Sequence, residues 1–204
     1  MRIITVSREF GSGGRELGKR LADTLGLPYY DREIITAIAQ KSSMDEDYIE
    51  RTIEKGALKQ YPMTFSHTFA YMPAILGNGP SLLAQQHKVI KELAAKGDCV
   101  IVGRGADAIL QEYKPLKLFI YADMAAKMER CRRRADAGEN LSDRELSRKI
   151  RQIDKARAEN HDIVATYKWG DKRGYHLCIN TTDILIKTAV PLIAAYAGYW
   201  FEKK

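Results

Sequence analysis

The chain has 204 residues, enough for one sizeable core, and a single domain over 1–204 is the expectation. Its 45% hydrophobic and 29% charged fractions are those of a soluble globular protein, and no apolar run is long enough to cross a bilayer. A net charge of +7 suits an anionic ligand of any size, while three widely spaced cysteines, Cys99, Cys131 and Cys178, argue against a disulfide framework or a zinc site. Cys99 and Cys178 sit in apolar runs and are expected to be buried. Met1-Arg2 leads into a strand without a signal-peptide pattern, so a cytoplasmic location is expected.

The first element is an apolar, β-branched run from Ile3 that ends at Ser7. A glycine-rich turn follows, and Leu17, Leu21 and Leu25 then recur at helical spacing. Strand, glycine loop and helix start form a site where unpaired backbone N–H groups can hold a phosphate. The candidate residues are Gly11, Ser12, Gly13, Gly14, Arg15 and Glu16. They depart from the usual G-x-x-x-x-G-K-[ST] loop: Gly14 stands where its lysine belongs and Glu16 where its Mg²⁺-binding hydroxyl belongs. Arg15 is the nearest cation, and an ordinary glycine-rich βα turn is the competing reading.

Gly26 and Pro28 stop the first helix, and a short strand ends at Asp31, at the sheet edge where parallel α/β proteins bind ligands. A helix from about 32 to 40 is predicted next, and Ser43-Met44-Asp45-Glu46 reads as a capping box for another. Residues 56 to 80 mix Met63, Phe65 and Phe69 with prolines and glycines without a period, and read either as an acceptor-binding flap or as irregular packing. A helix from Ser81 stops at Gly97; the buried strand Cys99 to Val102 then brings Gly103-Arg104-Gly105-Ala106-Asp107 to the same edge. Leu116 to Tyr121 is the next strand.

A helix from Met124 carries Arg130, Arg132, Arg133 and Arg134, and Ser142-Asp143-Arg144-Glu145 caps the long helix that holds Asp154 and Arg157. These two basic helices read as solvated faces or as a lid that closes arginines over phosphates. The last strand is His176 to Ile179, and the last helix runs from about Asp183 toward Phe201 with Pro191 inside it. The order predicts an α/β fold: a doubly wound, five-stranded parallel sheet with helices on both faces, an acceptor-side segment at about 32–80 and a lid with its following helix at about 130–160.

With these pieces in place the chain resembles the cytidylate kinase-like family, a nucleoside monophosphate kinase branch of the P-loop kinases. The resemblance spans ITVSREFGSGGRELGKRLA, PYYDREII, CVIVGRGADAIL, the RCRRR lid, IRQIDKARAENH, YKWGD and YHLCINTT. It implies that Gly11 to Glu16 hold donor phosphates and that Asp31 lines the acceptor site, with Arg32 in place of the serine that usually follows. The family's G-R-D appears as Gly103-Arg104-Gly105, so Arg104 is retained and Asp107 is the candidate substitute for its carboxylate. Asp154 and Arg157 match the D-x-x-R that reads cytosine and binds phosphate.

The resemblance further implies Mg²⁺ with ATP as donor and a nucleoside monophosphate, CMP or dCMP first, as acceptor. Arg15, Arg132 and Arg134 are the candidate catalytic cations, and Mg²⁺ would be held through water at Ser12 or Asp31. The alternatives are a kinase of the same fold for another small acceptor, or a catalytically weak nucleotide-binding module. Nucleic acid is the weakest partner, because aromatic residues do not interleave with the basic lid positions as a stacking platform requires.

Overall fold

A computed structural model describes residues 1–54, 79–135 and 141–203. In chain order the elements are β1 (Ile3–Arg8), α1 (Gly14–Leu25), β2 (Tyr29–Tyr30), α2 (Glu33–Ser42), α3 (Glu46–Glu54), α4 (Gly79–Ala95) and β3 (Cys99–Val102). They continue as α5 (Ala106–Ile109), β4 (Leu116–Tyr121), α6 (Met124–Arg133), α7 (Asp143–Asp162), β5 (Leu177–Asn180) and α8 (Ile186–Glu202). The five strands form one sheet in the order β2-β3-β1-β4-β5, and every pairing is parallel.

Alternation along β1 divides the core between the two faces of the sheet, because successive side chains of a strand point to opposite sides. Ile3 joins Cys99 and Ile101 against α2, α3 and α4. Ile4 and Val6 join Val100, Val102 and Leu118 against Leu17 and Leu21 of α1 and Ile186, Ala189 and Ile193 of α8. The fold is therefore the expected doubly wound α/β sheet. Leu17 and Leu21 are wholly buried, each stabilising the α1 contact by roughly 2 kcal/mol.

Several local expectations shift. Ser43 takes a left-handed φ of 56° and leaves the capping of α3 to Asp45, whose Oδ1 accepts from the Tyr48 N–H at 3.1 Å. Cys178 is half-buried, since β5 lies at the edge of the sheet. The final helix starts at Ile186 because Leu185 is extended. Ser142 caps α7 as expected, its hydroxyl accepting from the Glu145 N–H while Glu145 accepts from the Ser142 N–H. The stretch 56–80 falls largely outside the described residues, as do positions 136–140 of the expected lid loop. No helix among the described residues is long and apolar enough to cross a membrane.

Candidate active site

The C-terminal ends of β1, β2, β3 and β5 bring Arg8, Asp31, Arg104 and Thr181 to one edge of the sheet. Between β1 and α1 the chain turns through Gly11 and Gly13, with φ of 77° and 82°. Gly13 is the N-cap of α1 and offers no side chain to its first N–H groups, leaving them for an anion. A Cβ there would lie 2.7 Å from Ile186 Cδ1, so both conformation and space demand glycine. Ser12 is buried; its hydroxyl donates to the Glu9 carbonyl at 2.8 Å, and its own carbonyl accepts from Thr181 Oγ1 at 2.7 Å. The loop is thereby tied to the end of β5.

Beneath the loop lies a buried charge bridge. Lys127 of α6 donates to Glu9 Oε2 at 3.0 Å and to Asp154 Oδ2 at 2.7 Å, while Asp154 Oδ1 accepts from the Phe10 N–H at 2.6 Å. Asp154 is thus engaged by the loop and by α6. Three residues on, Arg157 lies over the Phe10 ring at 5.5 Å and donates to the Arg8 carbonyl at 3.2 Å.

Beside the loop, guanidinium groups gather around one carboxylate. Asp31 is buried and pairs with Arg15 Nε at 2.5 Å and Arg8 Nη2 at 3.6 Å. Arg15 therefore turns toward β2, away from the place a loop lysine would take. Burial pushes the Arg8 guanidinium down to about 9, with Arg157, Arg104 and Arg15 adding to the effect and Asp31 opposing it. Arg8 remains charged at neutral pH. Arg104, with a side chain 7% exposed, reaches Glu50 at 3.5 Å and holds a left-handed φ of 60° between Gly103 and Gly105. A Cβ on Gly103 would stand 1.5 Å from Arg8 Nη1, so that glycine makes room for the guanidinium. Arg32 is exposed at the start of α2.

Asp107 is buried away from this cluster. Its Oδ2 meets His161 Nε2 at 3.0 Å and accepts from the Tyr167 hydroxyl at 2.8 Å. His161 lines, with Arg8, Arg104, Arg157, Gln86 and Asn160, a narrow cleft of about 50 Å³ that is partly open to solvent. A second, wider cleft of about 580 Å³ lies beside α1, between Arg130, Arg133 and Arg134 and the segment Thr182 to Ile186. Arg134 pairs with Glu16 at 2.6 Å, and Arg20 takes the other Glu16 oxygen at 2.9 Å. Arg132 points elsewhere and pairs with Asp143 at the start of α7. Arg8, at the start of the loop segment, lines the first cleft, and Glu16, at the start of α1, lines the second.

The sequence profile of the cytidylate kinase-like family matches residues 3–183. The chain belongs to that family. An uncharacterised protein from Eubacterium ventriosum aligns at 25% identity and a TM-score of 0.69, covering 97% of this chain and 99% of that one. Shikimate kinases from Bacteroides thetaiotaomicron and Aquifex aeolicus share the fold at 16% and 18% identity, with TM-scores of 0.58 and 0.52. Those two alignments cover 96% and 98% of this chain, and 97% and 98% of the respective kinases. No protein of curated function matches the chain.

Family membership implies Mg²⁺ with ATP, but the carboxylates and hydroxyl nearest the loop are already engaged. Both Asp31 oxygens face guanidiniums, the Ser12 hydroxyl is turned to the Glu9 carbonyl, and Glu16 is held by two arginines. No group of three or more His, Cys, Asp or Glu side chains suited to a metal occurs among the described residues. The described side chains thus do not form a metal site of their own.

Arg8 and Lys127 were missed by sequence reasoning. Arg8 ends β1 at the edge that drew attention to Asp31 and Arg104, so its position alone could have marked it. Nothing local marks Lys127, whose partners lie 118 and 27 residues away.

Proposed function

We propose that this member of the cytidylate kinase-like family transfers the terminal phosphate of ATP to a nucleoside monophosphate, with CMP or dCMP as acceptor. The observation that carries this reading is the cluster of Arg8, Arg15, Arg104 and Arg157 beside the phosphate loop. Among the described residues Asp31 pairs with Arg8 and Arg15, and Glu50 with Arg104. Guanidiniums gathered in this way suit the dianion of a phosphate monoester.

The chemistry needs little more. An ionised acceptor phosphate requires no general base, so catalysis reduces to in-line positioning and cations around the transferring group. The N–H groups at the start of α1 would hold donor phosphates, and the wide cleft between Thr182 and the α6 arginines would receive the donor's nucleoside. Mg²⁺ arriving with the donor would supply further neutralisation of charge. The pair Arg134–Glu16 puts a lid cation against the loop where that charge develops.

ADP formation, measured across the common nucleoside monophosphates and shikimate, tests the reading. CMP or dCMP should be the best acceptor, and Arg8→Met should lower kcat/KM for it by about a hundredfold or more, as expected for loss of a buried charge-assisted contact. Asp31 keeps its Arg15 partner in that variant, so the fold should survive. Turnover of shikimate alone would move the assignment to another small acceptor of the same fold, and ATP binding without any turnover would leave a nucleotide-binding module.

A further inference from the structure

The last helix, α8, is apolar on the side turned away from the sheet as well as on the side that packs. Ile186, Ala189, Ile193 and Ala197 are buried in the core shared with Leu17 and Leu21 of α1. On the outer side, Leu185, Leu192 and Tyr199 recur seven residues apart and are 63%, 76% and 69% exposed. Pro191, Ala195 and Gly198 lie in the same exposed face. A surface helix ordinarily turns charged residues outward, and a contiguous apolar face marks a place where something else packs. The charged residues of α8 are Lys187, near its start, and Glu202, at its end, and both are exposed.

Each of those two charges stands at the end that its own helix disfavours. A helix start carries a partial positive charge and suits a carboxylate, and a helix end suits a cation. Here the first turn holds Lys187 and no acidic residue, Leu185 at the N-cap supplies no side-chain acceptor, and Glu202 closes the last turn ahead of Lys203. A second helix lying antiparallel would reverse both faults at once, bringing Glu202 to a helix start and to Lys187. We infer that the outer face of α8 is the contact of a symmetric dimer, in which α8 packs antiparallel against α8 of a second copy of this chain.

A two-fold axis pairs positions that are equally distant from it along the helix. Ala195 stands midway between Leu192 and Gly198 and midway between Pro191 and Tyr199, and within one residue of midway between Lys187 and Glu202. One axis at Ala195 thus sets large side chains against small or flat ones and opposite charges against each other. The small Ala195 at the crossing point lets the two helices approach closely. The space over Gly198 is open, with nothing within 4 Å of where a Cβ would lie, so the partner's Leu192 has room to settle there. Tyr199 would lie on the partner's Pro191, an aromatic ring against a rigid apolar one.

Sedimentation velocity of the intact protein over a range of concentrations tests the inference. A reversible dimer with micromolar dissociation is expected, since one helix face is a small interface. Leu192→Glu and Tyr199→Glu change exposed side chains, so each should fold as before and raise the dissociation constant at least about tenfold. Glu202→Lys should weaken the dimer by about tenfold, because a symmetric contact counts the substitution twice. The same change suits a helix end, so it should leave the unfolding midpoint of the monomer unchanged or raised. Adding Lys187→Glu should return the dissociation constant to within about threefold of the intact protein. A monomer at every concentration overturns the inference, as does a dimer that survives Leu192→Glu and Tyr199→Glu combined. Dimer affinity that ignores Glu202→Lys, or that the second reversal does not restore, overturns the antiparallel pairing. None of these measurements depends on phosphoryl transfer, so the dimer and the proposed reaction stand or fall separately.

Discussion

Asp107 and His161 are both almost wholly buried, and each pulls the other's protonation equilibrium away from the direction that burial favours. Burial is the largest influence on His161 and disfavours the imidazolium, yet Asp107 and Asp162 together outweigh it and raise the pKa above the ordinary histidine value. For Asp107, burial favours the neutral acid, while the His161 contact and the Tyr167 hydroxyl outweigh it and lower the pKa. The raised His161 stabilises the fold fully below the unfolded histidine value near 6.5, and that contribution is lost as pH rises through the folded value. The lowered Asp107 stabilises above the unfolded aspartate value near 3.9 and loses its contribution as pH falls through the folded one. The charged pair therefore matters most between about pH 4 and 6.5. His161→Gln is expected to cost on the order of 3 kcal/mol at about pH 5.5, the scale of a broken buried pair, and clearly less at about pH 9. Urea unfolding at both pH values reads this difference directly. An equal deficit at both would mean that the pair is not ionic. Because His161 and Arg157 share α7 and line one cleft, this buried pair also fixes the wall against which the acceptor would rest.

At the level of elements, the glycine-rich loop between β1 and α1 is held by α6 and α7. Lys127 joins Glu9 to Asp154, and Asp154 in turn fixes the Phe10 N–H. Lys127→Met would leave two neighbouring carboxylates without their shared cation. A loss of about 3 kcal/mol in unfolding free energy is expected, together with weaker ATP binding as the Phe10 anchor loosens. Unchanged ATP affinity in a destabilised variant would mean that the bridge supports the core and not the loop. The parts of this arrangement that could be read beforehand are those with a local signature. Leu17 and Leu21 betrayed α1 by their spacing, and the alternation of β1 gave its two buried faces. Ser142 and Glu145 announced the start of α7 because a capping box is complete within four residues. Ser43 and Glu46 have the same spacing, but Asp45, two places nearer the helix, won the competition for its first N–H groups. The reading of Asp154 and Arg157 as acceptor ligands came from the D-x-x-R of the resemblance, with the two residues three apart on one helix. In the structure Asp154 meets Lys127 and the Phe10 N–H while Arg157 meets the Arg8 carbonyl, contacts set by α6 and the loop rather than by α7.

Across the whole molecule, the arginines of α6 are divided among separate elements, and this division determines which of them can serve a lid. Arg130 donates to the Thr181 carbonyl, Arg133 pairs with Glu129 on its own helix, Arg132 joins Asp143 of α7, and Arg134, at the C-cap, is the one that pairs with α1 among the described residues, at Glu16. Sequence spacing made Arg132 and Arg134 equal candidates, because neighbouring positions on a basic helix carry the same charge and differ only in what faces them. The contacts now distinguish the two. An arginine beside the loop can stabilise charge as the phosphoryl group moves, so Arg134→Ala should lower kcat by roughly a hundredfold with a small change in the KM for ATP. Arg132 is half exposed and its partner more so, and exposed ion pairs contribute little; Arg132→Ala should alter kcat by about threefold at most. Glu16 adds a check on the same idea. It competes with ligand phosphates for Arg134, so Glu16→Gln should bind ATP more tightly at low ionic strength, an advantage that added salt would erase. Equal losses in Arg132→Ala and Arg134→Ala would show that the whole basic helix acts as one field and that the contact with Glu16 has no special standing. Turnover within about threefold of the intact protein in both variants would take α6 out of the reaction altogether.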